Sequence, residues 1–153
     1  MDLIVGVLPP TISTTSSSSH TITRSGSNIG SSMQSGLRIS LENITLTINS
    51  QFKILRASNI QFESYFDSAT RCRRIGDQVG VNHYSELARR EKLNIQNNLG
   101  LLKSHLEYRD NLNMQGHRIF PSADFSAYYD IHDDNKTTLG VSNALLNNRR
   151  YNI

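Results

Sequence analysis

From Leu37 to Ala69 the apolar residues recur in alternating steps of four and three. They fall at Leu37, Leu41, Ile44, Ile48, Leu55, Phe62 and Ala69, with Gln51, Ser58 and Tyr65 at the intermediate places of the same seam. That spacing describes one face of a helix. Neither Gly nor Pro interrupts residues 37–75, and Gly36 and Gly76 stand at the two ends of the stretch. A second template competes over 38–54. Ile39/Leu41, Ile44/Leu46/Ile48 and Phe52/Ile54 alternate with period two, and Thr45 and Thr47 suit a pleated surface. On that template the protein is α+β, with a small β-meander at 38–55. Its turns would fall at Glu42-Asn43 and Asn49-Ser50, which lack the Gly that tight primed hairpins use for positive φ. The helical template is therefore preferred.

A second helix is expected from about Ser85, an N-cap residue with Glu86 in the first turn, to about Asn111. Its apolar face reads Leu87/Ala88, Ile95, Leu99, Leu102 and Leu106. Arg89, Arg90, Lys92, Gln96, Lys103, Glu107 and Asp110 occupy the other side. Gly100 lies inside this helix at a cost of about 1 kcal/mol relative to Ala and is read as a close helix contact. The short connection around Gly76 and Gly80 makes the two helices an antiparallel pair. Residues 116–141 read as irregular, with turn signals at Gly116, Pro121, Asp130 to Asn135 and Gly140. A short last helix is expected over Ser142–Arg150. The fold class is thus mainly α: an antiparallel helical pair, a disordered N-terminal tail and an irregular C-terminal segment.

Composition sets the tail apart. Residues 1–36 are Ser/Thr-rich, and no acidic residue lies between Asp2 and Glu42. Residues 11–36 hold only Ile12, Ile22, Ile29 and Met33 as large apolar side chains, too few to offset an ordering cost of about 1–2 kcal/mol per residue. The expected organisation is a tail over 1–36 and a small helical domain over 37–153. The tail's composition resembles the unfolded starts of type III secretion substrates. It shares a Ser-rich, acid-poor character with organelle transit peptides, which carry more Arg. The first resemblance implies export without a cleavable hydrophobic signal; the alternative is a cytoplasmic protein with a plain linker. The run Leu3 to Leu8 ends at Pro9-Pro10, far short of the roughly 20 residues of a membrane span.

Charge changes the picture modestly. Sixteen Lys and Arg against thirteen Asp and Glu leave a net charge of +3. The cations concentrate in three clusters: Arg71/Arg73/Arg74, Arg89/Arg90 and Arg149/Arg150. These are the candidate contacts for nucleic acid or another anion, or else the cationic C-terminal ends of helices. The single cysteine, Cys72, rules out an intrachain disulfide or a multi-Cys zinc site; it is read as a buried or half-buried structural cysteine, the alternative being a reactive thiol whose thiolate its Arg neighbours would favour. The stretch Tyr129 to Asn135 groups carboxylates and His132, but it lacks the loop length, central Gly and terminal Glu of a calcium loop. No phosphate loop, dinucleotide fingerprint or nucleophile elbow occurs. The expectation is a non-catalytic interaction or structural subunit that needs neither cofactor nor metal. Leu87, Ile95, Leu99, Leu102 and Leu106 would face a protein partner or another copy of the chain. An exported apparatus component, an effector or a virion-type accessory protein would fit, with a weak nucleic-acid binder as one alternative and a small enzyme using Cys72 or His132 as another.

Overall fold

A computed structural model describes residues 26–128 and 131–153 of the chain, with side chains from Ser32 onward. Most of the tail, residues 1–25, lies outside the described residues, as do Tyr129 and Asp130. The described residues form two long antiparallel helices, α1 (Gly26–Arg74) and α2 (Gln78–Ile119), and a shorter α3 (Asp133–Asn147). Single 3-10 turns follow at Ser126–Tyr128 and Arg149–Tyr151. No strand occurs among the described residues.

The helical template wins over 38–54 because it sorts the apolar residues correctly. Leu41, Ile44 and Ile48 are buried, while Ile39 and Leu46 are exposed. A strand would have put Ile39 with Leu41, and Leu46 with Ile44 and Ile48, on common faces. The seam continues through its polar members, since Gln51 and Ser58 are buried with Phe52, Leu55 and Phe62. Toward its start α1 extends to Gly26, so residues 26–36 are helical rather than part of a tail.

The turn between the long helices explains why α2 starts earlier than Ser85. Gly76, at φ +76°, takes the left-handed position that closes α1. The Gly76 N–H donates to the Arg73 carbonyl and the Asp77 N–H to the Cys72 carbonyl, the paired bonds of a Schellman ending. Asp77 then caps α2, its Oδ1 accepting the Gly80 N–H at 2.9 Å. With the cap at Asp77, Ser85 lies inside the helix. At the other end nothing breaks α2 until Pro121, so it passes Asn111 and runs to Ile119.

Inter-residue contacts divide the chain into two compact units. Among the described residues the first comprises 26–50 and 102–128, and the second 51–101 and 131–153. In the first unit, Leu41, Ile44 and Ile48 of α1 and Leu102 and Leu112 of α2 are buried together with Phe125 from the following loop. Gly116 makes room for Phe125: a Cβ there would lie 2.9 Å from the ring and 3.0 Å from Leu37 Cδ2. The Arg38 guanidinium covers the ring at 4.7 Å and donates to the Asp124 carbonyl at 3.3 Å.

In the second unit, Phe52, Leu55, Phe62 and Ala69 of α1 and Val81, Ala88 and Ile95 of α2 form the core with Leu145 of α3. The last helix spans Asp133–Asn147 rather than Ser142–Arg150. Asp133 and Asp134, read as part of a turn, supply the negative charge that a helix N-terminus favours. Polar bonds seat α3 on α1. Ser142 Oγ donates to Asn59 Oδ1 at 2.8 Å, Asn59 Nδ2 donates to the Thr138 carbonyl at 3.3 Å, and Arg56 Nε donates to Thr138 Oγ1 at 3.3 Å. Tyr151 closes the unit edge-on against Phe62 and Phe66, with ring centroids 5.9 and 5.1 Å away.

Candidate interaction surfaces

The expected α2 face is half of the observed one. Ile95 and Leu102 are fully buried, whereas Leu87, Leu99 and Leu106 are half-buried on its flank. Polar residues share the α2 seam: Asn98, His105, Arg109 and Asn113 are all buried. Asn98 Oδ1 accepts from Gln51 Nε2 at 3.2 Å, a hydrogen bond between α1 and α2 inside the second unit. His105 is 2% exposed and neither ring nitrogen has a hydrogen-bond partner. Burial alone holds its pKa below the usual histidine value.

The arginine clusters are all exposed, and all belong to the second unit. Arg71, Arg73 and Arg74 occupy the last turn of α1, and Arg71 donates to Ser68 Oγ at 3.1 Å. Arg89 and Arg90 both pair with Glu86. Arg149 and Arg150 sit in the terminal 3-10 turn, with the Arg150 guanidinium 5.5 Å from the Tyr151 ring. Each cluster thus has a local partner of its own. The second unit holds eleven Lys and Arg against seven Asp and Glu, and the described residues of the first hold four against four.

Cys72 is half-buried and free, which fits a structural cysteine, while the thiolate expected from its Arg neighbours is not favoured. Desolvation raises its pKa, and the Asp77 carboxylate adds to the rise; the opposing effect of Arg71 is smaller. The thiol is therefore held protonated rather than activated. Gly80 is the tight point here, because a Cβ on it would lie 2.6 Å from Cys72 Sγ. In the stretch around His132, Asp133 and Asp134 belong to the first turn of α3, and His132 precedes them without a side-chain capping bond. Among the described residues no three His, Cys, Asp or Glu side chains are placed to hold a metal ion.

Clefts open on the surface of both units among the described residues. One lies in the first unit, about 450 Å³ in volume, and is lined by Met33, Leu37, Tyr108, Leu112, Ile119 and Phe120 with Ser40. The other, about 510 Å³, lies in the second unit between α1 and α3, among Arg56, Asn59, Glu63, Asp134 and Thr137. Large apolar side chains also stand in solvent along α1. Ile39, Leu46 and Ile60 are 53%, 65% and 63% exposed. Ile39 and Leu46, seven residues apart in the first unit, lie on one outer stripe of the helix, whereas Ile60 belongs to the second unit. No helix among the described residues is long and apolar enough to cross a membrane.

These features define a class by architecture: an antiparallel helical hairpin with a third helix docked beside it. No protein-family model, curated protein or solved structure matches the chain.

Proposed function

We propose that the protein is a non-catalytic interaction or structural subunit, and that the outer stripe of α1 meets another copy of the chain or a protein partner. The observation that carries this reading is the exposure of Ile39, Leu46 and Ile60. A solvated helix face is normally polar, and apolar residues repeating at sevens are the pattern of a packing seam. In the first unit, Ile39 and Leu46 form such an outward pair on α1, opposite the seam that faces α2. The protonated thiol of Cys72 and the buried, unpartnered ring of His105 support the non-catalytic part, since neither is poised as a nucleophile or an exchangeable base.

Light scattering behind a sizing column tests the reading. The full chain is expected to run above its monomer mass, and Ile39→Glu with Leu46→Glu to return it to monomer with unchanged far-UV circular dichroism. A full chain that stays monomeric and an unaltered double variant would remove self-assembly. The narrower form, an exported apparatus component, effector or virion-type accessory protein, rests on tail composition alone. It fails if deleting residues 2–25 leaves export and assembly unchanged.

A second reading is favoured by the gathering of all three arginine clusters in the second unit, which is a weak nucleic-acid binder. It predicts binding to an oligonucleotide that weakens as salt rises and drops when Arg71, Arg73 and Arg74 are changed together to Gln. Salt-independent or absent binding at low ionic strength ends it.

A further inference from the structure

The link between α1 and α2 gives the second unit a bare apex. Every residue from Arg73 to Val79 is exposed, and nothing lies within 4 Å of a Cβ built on Gly76. Ile75 and Val79 flank that glycine at 79% and 80% exposure, the highest of any large apolar side chain among the described residues. A single solvated apolar residue on a surface is ordinary. Here two share one apex, and the fold leaves both almost uncovered.

Positive charge surrounds the pair. Arg71, Arg73 and Arg74 occupy the last turn of α1, and at about 100° per residue they leave the helix on different sides. Arg71 donates back to Ser68, while the Arg73 and Arg74 guanidiniums have no carboxylate partner among the described residues. Asp77 is the one acidic residue between Asp67 and Glu86, and its carboxylate is turned onto the Gly80 N–H that it caps. Three arginines against one aspartate leave the apex at +2 around an apolar tip. A partner complementary to it offers negative charge together with an apolar layer. Nucleic acid answers the arginines but gives Ile75 and Val79 nothing to enter. An anionic bilayer supplies both, with charge at the headgroups and acyl chains about 5–10 Å below them. We infer that this apex docks on an anionic lipid surface, with Ile75 and Val79 entering the boundary between headgroups and acyl chains and the three arginines resting on the headgroups. The apex belongs wholly to the second unit, so the inference is independent of self-assembly through Ile39 and Leu46.

Cosedimentation of the full chain with vesicles of phosphatidylcholine alone, and of phosphatidylcholine with phosphatidylserine, tests this inference. Binding is expected only where phosphatidylserine is present. Changing Arg71, Arg73 and Arg74 together to Gln should weaken it about a hundredfold, at about fivefold for each cation near the surface. Ile75→Ser with Val79→Ser keeps every charge and should weaken it about tenfold. All five positions are exposed, so far-UV circular dichroism should not change. The chain has no tryptophan, so Val79→Trp places a single reporter at the apex. Its emission should move to shorter wavelength on the phosphatidylserine vesicles. Absent binding, or equal binding to both kinds of vesicle, overturns the inference. So does binding that ignores the change at Ile75 and Val79, or that leaves the reporter's emission unmoved. An oligonucleotide that binds where vesicles do not also overturns it, and gives the arginines to nucleic acid.

Discussion

Glycines at three places on α2 show how local geometry decides a residue's worth. Gly100 reads from sequence as a close contact, yet nothing lies within 4 Å of a Cβ built on it. The close approach is at Gly116, against Phe125. Gly100→Ala should therefore raise unfolding free energy by about 1 kcal/mol through helix propensity. Gly116→Ala gains the same propensity but forces Phe125 and Leu37 to shift, an overpacking cost of about 1–3 kcal/mol, so a net loss is expected. Urea unfolding of the two variants gives opposite signs if this is right. At Gly80 a Cβ would press on the Asp77 carboxylate that caps the helix as well as on Cys72.

His105 makes the second residue-scale prediction. Its pKa is lowered in the folded chain from an ordinary 6.5, so below that pH the unfolded chain binds more protons. Its contribution to stability is then complete above pH 6.5 and is lost as pH falls through and below that value, by up to about 1.4 kcal/mol per pH unit. Arg109, one helical turn away and also buried, gives a protonated ring no relief. On α1, Glu42 is the only carboxylate between Arg38 and Phe52, and it is exposed. On α2, Glu107 and Asp110 are exposed as well. Unfolding measured from pH 8 to 5 should show a decline in the wild type that His105→Leu flattens; parallel curves would refute the assignment.

At the scale of elements, α3 is the piece held most by polar contacts. Only Leu145 is a fully buried apolar residue on it, while Thr138 and Ser142 are buried and bonded to α1. Asn59→Ala should leave the Ser142 hydroxyl and the Thr138 carbonyl without their partner, at about 1–3 kcal/mol. Exchange should quicken in residues 133–147 more than in α2, and an even effect over the whole chain would argue against this local role. The same comparison shows what sequence could reveal of the elements. α1 was legible because enough of its seam is large and apolar for the 3/4 spacing to stand out even across Gln51 and Ser58. α2 was legible as a helix but not in its true face or extent. Asn98, His105 and Arg109 occupy seam positions that hydropathy assigns to solvent, and half-buried Leu87, Leu99 and Leu106 drew the face toward the flank. The start of α2 was hidden because Asp77 caps it three residues before Gly80, and Gly80 resembles a loop residue although it sits in the first helical turn.

Over the whole molecule the readings of function separate by their response to salt. Assembly through Ile39 and Leu46 buries apolar surface and should persist or strengthen as salt rises. Binding to a polyanion through the second unit should weaken, because each phosphate contact releases counterions. Measuring mass and oligonucleotide affinity in the same salt series therefore tells the two apart. The candidate surfaces were less legible than the fold. The arginine clusters were visible as runs, but their shared location depends on which segments fold together. The apolar stripe on α1 was visible only as part of a strand pattern, since Ile39 and Leu46 lie two residues from true seam positions. The cleft is built from residues about 70 positions apart in sequence, and no local pattern announces it.

The three-residue link at Gly76 has a consequence for how the protein is made. In an antiparallel hairpin, partners near the link are close in sequence and those near the free ends are far apart. Gln51 and Asn98 are separated by 47 positions, Arg38 and Asp124 by 86. Closing the larger loop costs more chain entropy, so pairing proceeds from the link outward. A ribosome adding about 5–20 residues per second takes about 2–8 seconds to deliver the 42 residues of α2. Through that interval the nascent α1 presents both apolar stripes unpaired, and the half nearest its N-terminus waits longest for its match.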